Sequence, residues 1–77
     1  MTNPKYENVG TPETCLIEEC SELIKAICKA DRFGLFAFHC MTGISNYDAI
    51  IEEIADVKKR IEQYEKYLTH LKFATET

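Results

Sequence analysis

Two short segments, Glu18-Glu19-Cys20-Ser21-Glu22 and Glu52-Glu53-Ile54-Ala55-Asp56, each carry carboxylates three residues apart: Glu19 with Glu22, and Glu53 with Asp56. Residues three apart on a helix are surface neighbours, so each pair is a two-carboxylate clamp wherever its segment is helical. Both clamps border an apolar stripe. Packing those stripes together would gather four carboxylates, a cluster that repels itself unless a member takes up a proton or a cation enters. Hard divalent cations such as Mg²⁺ take carboxylate oxygens and water, and helix bundles build such sites from facing helices. Acidic pairs at this spacing are also common on solvated faces, where Glu22 would pair with Lys25. Against that, neither Glu19 nor Glu22 has a lysine four residues on, where Leu23 and Ala26 stand.

Presenting the clamps requires two helices. Thr11-Pro12-Glu13 is a helix start, with a hydroxyl at the N-cap, proline at the first helical position and an acid in the first turn. Leu16, Ile17, Cys20, Leu23, Ile24, Ile27 and Cys28 then come at steps of three and four as one apolar stripe, running to about Arg32 before a break at Phe33-Gly34. Residues 33–45 are apolar without a clean period, a short helix or a packed loop. Gly43 closes the stretch, and Ser45 or Asn46 can cap the next helix. Ile50, Ile54, Val57, Ile61, Tyr64, Leu68 and Leu71 form a heptad seam on that second helix, over about 46–72. Such a helix is roughly 40 Å long, and the first helix is too short to cover it. A second copy of the chain is the economical cover. The expected fold is all-α: a helical hairpin with a long C-terminal helix, assembled into an oligomeric antiparallel bundle without strands. Residues 1–10 read as a flexible arm and 11–77 as a single domain.

The composition agrees. A chain of 77 residues buries only ~60% of the surface its unfolded form exposes, and small folds offset that with disulfides, metals or oligomerisation. With no secretory leader read at the N-terminus, Cys15, Cys20, Cys28 and Cys40 are expected to be thiols of a cytoplasmic protein. Cys20 and Cys28 are expected on the apolar side of their helix as small hydrophobes. The net charge of −4 argues against a nucleic-acid backbone binder, which needs clustered Lys and Arg. No apolar run reaches the ~18 residues of a membrane span. His39-Cys40 fits no zinc-finger spacing, because no CxxC pair exists. Phe33, Phe36 and Phe38 suit a core or a dimer interface better than base stacking.

Glu18-Glu19-x-x-Glu22, with Glu53-x-x-Asp56 about thirty residues later, resembles the paired signature of the all-α nucleotide pyrophosphohydrolases of the MazG and dimeric dUTPase group. Ile24-Lys25-Ala26, continuing to Lys29-Ala30-Asp31-Arg32-Phe33-Gly34, is similar to a stretch of the MazG-like proteins common in bacteriophages. Asn46 before Ile50-Ile51-Glu52-Glu53-Ile54-Ala55-Asp56-Val57 is similar to their second half. The resemblance spans Leu16 to Leu68. It implies hydrolysis of a (deoxy)nucleoside triphosphate to the monophosphate and pyrophosphate, in a homodimer or homotetramer of a bacterial cell or its phage. Glu19, Glu22, Glu53 and Asp56 would ligate Mg²⁺ or Mn²⁺. Glu18 would assist Glu19 in catalysis by holding a ligand or a water. Lys29 and Arg32 would steady the phosphates, although both also suit the negative end of the first helix; Arg60, the one member of Lys58-Lys59-Arg60 in register with Asp56 and Glu53, is a further candidate for that role, the alternative being a solvated face. The chain departs from the family after Asp56, where Lys58-Lys59-Arg60 replaces an apolar run. The competing expectation is a non-catalytic helical oligomer that binds a nucleotide or a protein.

Overall fold

The computed structural model describes residues 10–76. Most of the expected arm, and with it the question of its flexibility, lies outside the described residues. Helix α1 spans Pro12–Phe33 and helix α2 spans Asn46–Glu76. At the start of α1, Thr11 Oγ1 accepts the Thr14 N–H at 3.1 Å, satisfying one of the amides that a helix N-terminus leaves without a partner. The helix stops at Gly34, whose φ of 105° is open to a residue without Cβ and whose N–H donates to the Ala30 carbonyl. Ser45 is the residue that caps α2, its Oγ accepting the Asp48 N–H at 3.1 Å.

The connector is a packed loop. His39 donates its N–H to the Ile44 carbonyl, Gly43 donates back to the His39 carbonyl, and Phe38 and Ser45 form one isolated antiparallel bridge. No strand forms among the described residues. Asn46 is buried and clips this loop down: its side-chain amide donates to the Gly34 carbonyl at 2.8 Å, and its own N–H donates to the Ala37 carbonyl. A carbonyl just past the end of α1, which the helix itself cannot satisfy, thus receives a donor from the start of α2.

The hairpin is one helix pair deep, 54 × 25 × 16 Å. Ala30, 8% exposed, is the one buried apolar residue among the described residues, and no large side chain is fully buried. The stripe expected on α1 divides in two. Leu16, Cys20, Leu23 and Ala26 are half-buried, whereas Ile17 and Ile24 remain 67% and 62% exposed. Cys28 is also exposed, contrary to expectation. On α2 the half-buried residues are Ala49, Ile50, Glu53, Ile54, Val57, Arg60, Tyr64 and Tyr67, and the expected seam members Ile61, Leu68 and Leu71 stay 42%, 46% and 40% exposed. The reason is geometric: a stripe that broad spans two adjacent seams, and a single partner helix covers one.

One residue further along a helix is a turn of about 100° around its axis. Ile17, Ile24 and Ile27 stand one residue on from Leu16, Leu23 and Ala26, as Ile51, Ile61 and Leu68 do from Ile50, Arg60 and Tyr67. In an antiparallel pair, equal offsets in the chain direction turn both helices to the same side. The leftover aliphatics therefore share one face of the hairpin. Offsets of one residue back turn to the opposite face, which carries Glu18, Glu22, Lys25 and Lys29 from α1 and Glu52 and Asp56 from α2.

Candidate metal centre

Glu19 projects from the packed seam of α1 and meets Glu53 in the packed seam of α2, while Asp56, one turn past Glu53, reaches in from the polar face. One carboxylate oxygen from each of Glu19, Glu53 and Asp56 lies within 4.8 Å of the others. Glu19 and Glu53 are half-buried and Asp56 is exposed. Glu53 is the constrained member. One of its carboxylate oxygens is buried without a hydrogen-bond partner, a situation that is rare because it forfeits solvation without replacement. Burial pushes the Glu53 carboxyl above its ordinary value, and the negative charges of Glu19, then Asp56, Glu22 and Glu52, push it further. A hard cation would reverse each of these effects. The donor set is all carboxylate oxygen, which suits Mg²⁺ or Mn²⁺ rather than a softer metal.

Beside the triad opens a cleft of about 270 Å³, with Glu22, Lys25, Ala26 and Lys29 of α1 along one wall, Asn46, Ala49 and Glu53 of α2 along the other, and His39, Thr42 and Ile44 of the connector at its end. Glu22, the fourth expected metal ligand, thus stands on the cleft wall with Glu53 and outside the closest trio. Glu18 is exposed on the same face, and its backbone carbonyl accepts the Ser21 hydroxyl. Of the three expected phosphate-holding cations, Lys29 lines the cleft. Arg32 is exposed in the last turn of α1. Arg60 is half-buried one turn beyond Asp56 and donates to Gln63 Oε1 at 3.1 Å.

Lys25, His39 and Thr42 were not singled out from the sequence as site residues. Lys25 was legible as a neighbour of Lys29, being four residues before it. His39 and Thr42 reach the cleft only because the connector folds back, and no local pattern signals that. The aromatic residues of the connector lie elsewhere: Phe36 stacks on Tyr47, ring centroids 5.8 Å apart, and neither ring lines the cleft. The cysteines are free thiols.

Comparison with protein-family models, with curated proteins and with solved structures found no match. Among the described residues no helix is long and apolar enough to cross a membrane.

Proposed function

We propose that the chain is a magnesium-dependent nucleotide pyrophosphohydrolase of MazG-like type, converting a (deoxy)nucleoside triphosphate to the monophosphate and pyrophosphate. The observation that carries this reading is the Glu19–Glu53–Asp56 trio, with its partnerless Glu53 oxygen, opening onto a cleft walled by lysines. A bound Mg²⁺ would neutralise the polyphosphate and acidify a water. The chain's own part is to hold and orient. Glu19, Glu53 and Asp56, with Glu22 beside them, hold the cation. Glu18 holds an attacking water and accepts its proton. Lys29 steadies the phosphates inside the cleft, and Arg32 and Arg60 supply outer positive charge. Attack at the α-phosphorus, hence pyrophosphate as product, is implied by the motif resemblance.

The apolar face completes the fold by pairing with a second copy, giving an antiparallel bundle of two or more hairpins. With no large side chain fully buried among the described residues, self-association supplies the missing core, and closed two-fold pairing is the commonest way to do it. That face lies opposite the cleft, so assembly leaves the site open. Incubating the protein with a panel of nucleoside triphosphates, with and without Mg²⁺, and separating pyrophosphate from orthophosphate tests the activity.

A second reading has its own support. The breadth of the apolar face also suits a non-catalytic oligomer that binds a nucleotide or a protein partner. Metal-dependent nucleotide binding without turnover of any common triphosphate would favour it.

A further inference from the structure

Helix α2 has 31 residues and α1 has 22, and the meeting of Glu19 with Glu53 and Asp56 fixes how they overlap. Pro12, seven residues before Glu19 in an antiparallel pair, stands level with about residues 60–63 of α2. From there α2 continues roughly 20 Å past the start of α1, at 1.5 Å per residue. This overhang carries Leu68, Leu71 and Phe73 as exposed side chains. The opposite end of the hairpin is apolar too. Phe33, Phe36, Phe38 and Met41 are 65%, 73%, 69% and 86% exposed at the connector, and Ile24, Ile27 and Ile51 are exposed on the half of the hairpin next to it. An aromatic side chain offers about 150–250 Å² for burial, so the rings of Phe33, Phe36, Phe38 and Phe73 leave roughly 500 Å² in water. The exposed methionine, leucines and isoleucines carry the sum past the roughly 800 Å² that each partner brings to a standard protein–protein interface.

We infer that one occupant covers both ends: a second copy of this chain, docked antiparallel in the register that lays the overhang of each copy on the connector half of the other. The inference rests on the self-association put forward above and adds its register. A two-fold axis crossing the hairpin near the middle of α2 generates both contacts at once, so two unlike apolar ends close on each other and no patch is left to propagate. Leu68, Leu71 and Phe73 of each overhang then meet a two-helix body that exposes Ile24, Ile27 and Ile51. A parallel pair would instead leave each single-helix overhang facing only the other overhang, and would bring the two connectors together. The docked overhang also braces the connector, whose His39, Thr42 and Ile44 close one end of the cleft. Assembly and the shape of the cleft are thereby linked.

Bismaleimide cross-linking of the full chain, with linked peptides mapped by mass spectrometry, reads the register. Cys28 and Cys40 are exposed towards the connector end. Antiparallel docking keeps these thiols of the two copies at opposite ends, so wild type should give no link between copies through Cys28 or Cys40. Ala74→Cys should give a covalent dimer joined to the partner's Cys28 or Cys40. Phe73→Glu and Met41→Glu should each weaken self-association at least about tenfold by light scattering over a dilution series, the scale of one large apolar side chain returned to water. Circular dichroism checks that both remain helical. Hydrogen exchange at the Gly43 amide, which donates to the His39 carbonyl, should slow on assembly, and exchange that ignores concentration would overturn the link to the cleft. Wild-type dimers joined through Cys28 or Cys40 of both copies would overturn the register, as would Ala74→Cys chains that stay unlinked or join only through their new thiols. The two readings fail separately. If Ile61→Glu dissociates the protein while Phe73→Glu and Met41→Glu leave its Kd unchanged, pairing through the apolar face stands and this register falls. A wild type that is monomeric at every concentration loses both.

Discussion

Replacing Glu53 with glutamine removes one charge from the acidic trio at nearly constant shape, and its effect should change sign with metal. Two unit charges at the 4.8 Å limit within which the trio's oxygens lie repel by at least about 3.5 kcal/mol at an effective dielectric of about 20, and by at least about 0.9 kcal/mol in water. The trio lies between these limits, because Glu19 and Glu53 are half-buried and Asp56 is exposed. Glu53→Gln should therefore stabilise the chelator-treated protein by about 1 kcal/mol, or about 4–8 °C in Tm for a domain of this size. With Mg²⁺ the order should invert. Wild type gains about 2.7 kcal/mol at a hundredfold excess over Kd, and the glutamine variant gains much less. The assay is thermal unfolding monitored by circular dichroism across a Mg²⁺ titration, with Glu62→Gln as control, a residue whose exposed pairing with Lys66 at 3.6 Å contributes little. A Glu53→Gln protein that is less stable without metal, yet keeps the full Mg²⁺ increment, would refute the placement of the site.

The pH dependence carries a definite sign. The Glu53 carboxyl is raised above 4.5 in the fold, so its protonated form contributes stability at low pH that is lost as pH rises through the raised value. Without metal, the Tm of wild type relative to Glu53→Gln should accordingly fall across that window, and a rising difference would contradict the assignment. Glu19→Gln and Asp56→Asn should each abolish Mg²⁺-dependent pyrophosphate release while light scattering shows the oligomer intact. Ile24→Glu and Ile61→Glu, on the apolar face, should each disrupt assembly and lower Tm, since burying an isoleucine is worth about 1.5–3 kcal/mol. An unchanged mass by light scattering would place the interface elsewhere. Asn46→Ala removes the donor to the Gly34 carbonyl and should cost about 1–3 kcal/mol in denaturant unfolding. A null effect would mean that the connector does not depend on that clip.

Both helices, the two ends of α1 and the start of α2 were legible in the sequence because the determinants are local, whereas α2 runs on to Glu76, past the expected end near 72. Thr11, Pro12 and Gly34 act within a turn of their own positions, and the three-residue spacing of Glu19–Glu22 and Glu53–Asp56 sets which side chains are neighbours on each helix. The breadth of the apolar stripes was visible too, but not which flank would face the other helix. Ile17, Cys20 and Leu23 look alike in a periodic pattern; tertiary packing half-buries Cys20 and Leu23 and leaves Ile17 out. The same packing brings Glu19 against Glu53 and leaves Glu22 on the cleft wall. The connector was the least legible segment, because its conformation depends on Asn46 bonding to Gly34 twelve residues earlier. Periodicity reports the environment averaged around a single helix axis. Rotation of one helix against another, and the return path of a loop, are set by contacts between residues far apart in the chain, and those choices bring Lys25, Lys29 and His39 to one cleft.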